Sequence, residues 1–142
     1  MWEYEHSVES TATPDAIYRF YENVELRPRW DASVESMTVD GPFAAGTPGV
    51  MVIEGQGPMP FVIVEAQTNQ GFTDQTDLPG AGLTLRFEHK LTSLPNGKTQ
   101  ITHQLTITGP NAETAAGEIG PMIVADFPEA MTALARLAEQ SK

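Results

Sequence analysis

Residues 83–108, LTLRFEHKLTSLPNGKTQITHQLTIT, decide the fold. Leu83, Leu85, Phe87, His89 and Leu91 alternate with Thr84, Arg86, Glu88, Lys90 and Thr92. After Pro95-Asn96-Gly97 the period of two returns, with Ile101, His103, Leu105 and Ile107 set against Thr102, Gln104, Thr106 and Thr108. Such alternation marks strands with one apolar face, and the Pro-Asn-Gly turn joins them as a hairpin. If Gly97 is left-handed in a three-residue loop, Leu94 faces Lys98 and His89 stands directly opposite His103. Directly opposed Cβ atoms lie about 4.5–5.5 Å apart. Two imidazoles then meet on the apolar side.

Upstream the same signals recur. Trp2, Tyr4, His6 and Val8 share one face of a strand over 2–10, and Glu3, Glu5, Ser7 and Glu9 form a solvated face. Thr13-Pro14-Asp15 reads as a helix start, with Thr13 as cap, Pro14 in the first turn and Asp15 at the positive end. Ile17, Phe20, Tyr21 and Val24 follow at helical spacing, and Pro28 breaks a second short helical piece ending near Trp30. Strands are predicted at 33–40, 48–55, 60–68, 71–78, 82–93 and 98–108. Beyond Gly109-Pro110 the period turns helical. Ile119, Met122, Ile123, Phe127, Met131, Leu134 and Leu137 form one stripe, which Pro121 and Pro128 should kink or break. The order implies an α+β domain, an antiparallel sheet with a terminal helix packed on it.

Composition narrows the function. The chain has 142 residues, 8 basic against 19 acidic, a net charge of −11 and no cysteine. One domain over 1–142 suits that length. The acidity argues against nucleic acid, and the missing thiol excludes disulfides and cysteine chemistry. MWEYEHSVES lacks the look of a signal peptide, and no apolar run approaches the ~20 residues of a membrane span. A soluble, cytoplasmic protein without stable membrane insertion is expected. Gly55-Gln56-Gly57 has Pro60 where a dinucleotide-binding loop needs its third glycine, and no Gly-x-Ser-x-Gly elbow occurs. Phe61-Val62-Ile63-Val64 is apolar on both faces, which makes a homodimer an option.

Several pieces recur in order: Val8 to Ala12-Thr13-Pro14 entering Ile17-Tyr18, Trp30, and the Phe43…Gly46 turn. Then come Phe87-Glu88-His89-Lys90-Leu91, Thr99-Gln100-Ile101-Thr102-His103, Gly109-Pro110, and Phe127-Pro128-Glu129-Ala130…Leu134…Leu137. Over residues 4–139 the chain resembles the SRPBCC (START-like, helix-grip) superfamily, close to its polyketide cyclase/dehydratase and lipid-transport branch. The resemblance implies a seven-stranded curved antiparallel sheet, two short helices and a long C-terminal helix around an apolar cavity. Members hold lipids, sterols, polyketides, quinones or plant hormones there, and some do chemistry. The first strand would neighbour the last, putting His6 on the wall of His89 and His103. No universal catalytic motif comes with the superfamily, and unrelated functions share such scaffolds.

Candidate site residues therefore rest on this sequence. His89, His103 and Asp74 are the candidate catalytic groups. Either a tight turn at Pro79-Gly80 or a four-residue loop places Phe72, Asp74 and Thr76 inward, with Asp74 near His89, whereas a one-residue change turns Asp74 outward. An Asp–His pair fixes a tautomer and tunes a base. His6, Trp30, Phe87, Phe127, Met131, Met122, Leu85 and Leu105 are the candidate ligand-binding residues. No metal-ligand spacing such as His-Glu-x-x-His occurs, and neither metal nor cofactor is expected. Three readings stand. The chain binds a small hydrophobic or aromatic, lipid- or polyketide-like molecule; it is a cyclase/dehydratase-type enzyme using cavity histidines; or it is a partner-binding module whose cavity its own side chains fill.

Overall fold

Alternation, glycine and proline set the strands close to where the sequence places them. The computed structural model describes residues 1–140. Among them run β1 (Trp2–Ser10), β2 (Val34–Val39), β3 (Pro48–Ile53), β4 (Gly57–Gln67), β5 (Gly71–Leu78), β6 (Leu83–Ser93) and β7 (Thr99–Thr108). Helices α1 (Pro14–Glu22) and α2 (Arg27–Trp30) lie between β1 and β2, and α3 (Ala112–Val124) and α4 (Phe127–Gln140) follow β7. The seven strands form one antiparallel sheet in the order β1-β7-β6-β5-β4-β3-β2, so the first strand pairs with the last. The architecture is α+β, with a C-terminal helix in two segments across the sheet.

Local chemistry explains the shape. The ladder slips between Val34 and Ser36 in β2 and between Ile63 and Glu65 in β4. Such irregularities bend strands and increase twist, which curves the sheet. β4 starts at Gly57, ahead of the expected position, and carries Pro58 and Pro60. Both lie before Val62, where pairing with β5 begins, so their missing N–H groups deprive no β5 carbonyl. Gly55 and Gly57 take positive φ in the β3–β4 turn, which gives that Gly-x-Gly a purely structural use. On the outer face Val50 and Val62 are exposed, while Phe61 and Ile63 point inward and are buried.

Two helical expectations need correction. Thr13 has the extended backbone of a cap, but its side chain caps no N–H; its carbonyl accepts from Ile17, and its hydroxyl helps hold the Asp15 carboxyl low. The C-terminal helix does not carry one stripe. It breaks between Val124 and Phe127, just ahead of Pro128, which then occupies the first turn of α4, where its missing N–H costs nothing. α3 buries Ala112, Ala116, Gly120 and Val124, and a Cβ on Gly120 would meet the Trp2 ring at 2.7 Å. Met122 consequently faces solvent, 72 % exposed. It does not line the interior.

The core lies on the concave side. Met131 and Leu134 of α4 are fully buried with Ile17 of α1 and Ile101 of β7, each worth ~1.5–3 kcal/mol on burial. Leu85, Leu105 and Ile107 pack under α3, and Val34, Met37, Phe61 and Ile63 form a third cluster on β2 and β4.

Candidate functional site

The β6–β7 hairpin closes with Gly97 at φ 83° and the Leu94 amide donating to the Lys98 carbonyl at 2.8 Å. His89 faces His103 directly, and His103 faces His6 across the β1–β7 ladder. One inward row thus runs His6, His103, His89 and, on β5, Phe72. The His89 and His103 rings meet edge to face with centroids 4.6 Å apart, and Phe72 stacks on His89 at 4.0 Å. Both histidines are 5 % exposed, whereas His6, on the edge strand, is half-buried.

Hydrogen bonds define the tautomers. His89 Nδ1 lies 3.2 Å from the Phe72 carbonyl oxygen, and a carbonyl only accepts. Nδ1 therefore carries the proton, and neutral His89 presents Nε2 as an acceptor. His103 Nε2 is bonded to the Tyr21 hydroxyl at 2.8 Å. Burial, aided by the Arg27 charge, pulls His103 down to about 3. Burial and then its histidine neighbour pull His89 well below the usual range. Burial also raises the Tyr21 phenol. Near neutral pH His89 and His103 are uncharged.

Asp74 is inward and 3 % exposed. The β5–β6 connection takes the four-residue form, Pro79 to Gly82, pairing Leu78 with Leu83. That register sets Phe72, and not Asp74, opposite His89; Asp74 faces Phe87 on β6 and Ile63 on β4. The expected Asp74–His89 pair does not form. Among the described residues no group bonds the Asp74 carboxyl. Burial raises it to about 7, an effect that the Arg27 charge partly opposes.

Arg27 is the group that the sequence reading missed. Its Nη2 lies 3.1 Å from Asp31 Oδ2, with both side chains 12 % exposed, and its guanidinium sits 4.5 Å over the Trp30 ring. Asp31 Oδ1 also accepts from the Ser33 hydroxyl at 2.7 Å, and burial followed by the Asp31 charge raises nearby Asp126. The i, i+4 spacing of Arg27 and Asp31 around an aromatic residue was the available signal. A second missed feature is a methionine row: Met37 faces Met51, which faces Met59, across β2, β3 and β4. Arg27 Nη1 reaches Met37 Sδ at 3.9 Å.

Of the expected lining residues, Trp30, Met131, Leu85 and Leu105 are buried in the packed core. Trp30 donates from Nε1 to the Phe20 carbonyl at 3.4 Å. Phe87 and Phe127 point inward yet stay half-buried, with Phe127 5.8 Å from the Tyr4 ring and 6.2 Å from His103. A groove of about 510 Å³ is walled by Glu65, Gln67, Thr73, Glu88 and Lys90 and is also lined by Phe72, His89 and Leu91. Among the described residues no cluster of three or more His, Asp or Glu side chains is placed to hold a metal, and no helix is long and apolar enough to cross a membrane.

The sequence matches no protein-family model and no curated protein. Solved structures are similar along nearly the whole chain. Ara h 8.0201 superposes with a TM-score of 0.76 at 14 % identity, covering 96 % of this chain and 97 % of its own. Norcoclaurine synthase from Thalictrum flavum gives 0.72 at 15 % identity over 96 % and 85 %. The protein XoxI from Bacillus cereus gives 0.77 at 11 % identity over 96 % and 95 %.

The chain has the helix-grip fold.

At these identities the likeness is one of fold. Within the helix-grip frame, the histidine row lies on β1, β7 and β6, the methionine row on β2 to β4, and Asp74 on β5 between them.

Proposed function

We propose that the chain binds a small hydrophobic or aromatic molecule between the inner sheet face and the C-terminal helices. The observation that carries this reading is incomplete burial on the concave side. Met51, Met59, Phe87, Ile123 and Phe127 stay only partly buried, although neighbours of the same parity such as Phe61, Ile63, Leu85 and Leu105 are buried. Apolar side chains with a few convergent polar groups are what small-molecule sites present. Flexible thioethers adapt to varied shapes. Titration with Nile red tests the reading. One saturable site, lost in Phe87→Glu with the far-ultraviolet dichroism unchanged, is the expected result; binding indifferent to that change overturns it.

An enzymatic role has one specific support. Asp74, at about 7, has the proton affinity of a general acid or base near neutrality. His89 and His103, both pulled down, are weak bases at the same pH. In the cyclase or dehydratase reading, Asp74 moves the proton and the histidine wall orients the substrate. Turnover that survives Asp74→Asn removes that reading.

A further inference from the structure

The polar groups at the inner face are unevenly matched. The described residues seal off no side-chain nitrogen or oxygen without a partner. The Asp74 oxygens, which bond no protein group, therefore open on space that a water molecule can enter. So does His89 Nε2, whose ring is bonded only through Nδ1. Both are acceptors. Among the described residues the charge acting on Asp74 is that of Arg27, which is engaged by Asp31 through Nη2 and, at 3.2 Å, through Nε, while His6 lies three strands away on β1. His89 and His103 stay neutral, and Tyr21 is committed to His103. The two other carboxylates near Arg27, Asp31 and Asp126, add negative charge.

We infer that the interior site selects an apolar amine, whose ammonium group meets the Asp74 carboxylate while its hydrocarbon body lies against Phe87 and the methionine row. This inference rests on the ligand-binding reading above and specifies the polar end of the ligand. The opposite face of Asp74 supports the geometry, because Ile63 and Phe87 flank it on either side and neither can donate a hydrogen bond. An anionic ligand would bring a second negative charge to this buried carboxyl. A neutral hydrocarbon would leave the carboxyl unbonded.

Calorimetric titration with ethylnaphthalene, naphthylethylamine and naphthylacetate separates these cases. The amine should bind about tenfold or more tighter than the hydrocarbon, as a charge-assisted hydrogen bond at a sequestered site allows, and the acid should bind weakest. Asp74→Asn should bring amine and hydrocarbon within about twofold of each other. Lowering the pH from about 8 to about 5 in the unaltered protein should erode the amine preference alone, which tests the idea even if the variant folds poorly. An amine that binds no better than the hydrocarbon, or an amine preference that survives Asp74→Asn, overturns this inference and leaves the ligand-binding reading intact. If none of the three binds, that reading falls with it.

Discussion

The Tyr21 hydroxyl and His103 Nε2 lie 2.8 Å apart, joining α1 to β7 of the sheet inside a layer of rings. The phenol is flanked by Trp30, Phe72 and His89, with centroids 5.0–6.0 Å away. One helix residue thus positions the row that β6 and β7 bring together.

Tyr21→Phe should therefore act through the nitrogen it leaves behind. His103 Nε2 loses its bond, and an unsatisfied buried group costs about 1–3 kcal/mol. Urea unfolding at neutral pH should show a loss in that range, and nitrogen chemical shifts should report a changed His103 tautomer balance. A neutral substitution would mean that water reaches the imidazole freely.

Asp74→Asn should stabilise the protein at alkaline pH. The carboxyl rises from 3.8 to about 7 on folding, so the folded chain binds its proton more tightly. Its favourable contribution is complete below about pH 4 and disappears as pH climbs through about 7. Removing the ionisable group should add about 2 kcal/mol or more near pH 8 and little near pH 4. Equal effects at both pH values would show that ionisation is irrelevant to the gain.

The histidines have the opposite sign. His103 falls from 6.5 to about 3, so the unfolded chain takes up protons that the folded one refuses. Stability from this group is complete above about pH 6.5 and lost as acid approaches about pH 3. His103→Gln should flatten the acid limb of a stability-versus-pH curve in that window, whatever it does to the plateau.

Arg27→Gln tests the electrostatic centre. Both members of the Arg27–Asp31 pair are largely buried, and stranding one buried charge costs about 3–5 kcal/mol, moderated here by the Ser33 bonds to Asp31. The same change should push the Asp74 carboxyl further up and let His103 rise, because the guanidinium opposes both. Carbon and nitrogen shifts across a pH titration read both movements. Stationary values would place Arg27 outside the site.

Gly71→Ala should disturb the row mechanically. A Cβ there would lie 2.1 Å from the His89 carbonyl oxygen, at a φ of 150° that disfavours a side chain. Forcing β5 from β6 at this point should cost about 2–4 kcal/mol and separate Phe72 from His89. Thermal unfolding and the ring-current shifts of His89 would both register it. An unaltered melting temperature would contradict the packing.

Legibility in the sequence followed turn chemistry. Pro95-Asn96-Gly97 permits few loops, so the register of β6 on β7, and with it the His89–His103 pair, could be read directly. The Pro79–Gly82 connection permits two lengths with the same parity. Either length turns Asp74 inward, opposite Leu85 or Phe87 and never His89, whereas a loop one residue different turns it outward, so the sequence left its placement open. Met122 went astray because one stripe was carried at period 3.6 through the kink or break that Pro121 and Pro128 signal, whereas packing on Trp2 and the sheet decides which face α3 buries. Arg27 was missed for another reason, despite its i, i+4 spacing to Asp31. A charged residue in a four-residue helix reads as solvent-facing, and its burial depends on contacts with distant Met37.

The pairing of β1 with β7 also governs how the molecule is assembled. Ser7 and Thr102, bonded through their hydroxyls at 2.8 Å, are 95 residues apart in sequence. On the ribosome, β1 emerges ahead of the other strands and waits, its Trp2, Tyr4 and Val8 face uncovered, until β7 has been synthesised. Closing so long a loop late makes for slow folding and an extended interval of exposure to aggregation. The alternating Glu3, Glu5 and Glu9 on the other face of β1 then act as gatekeepers, keeping the waiting strand from pairing with a neighbouring copy.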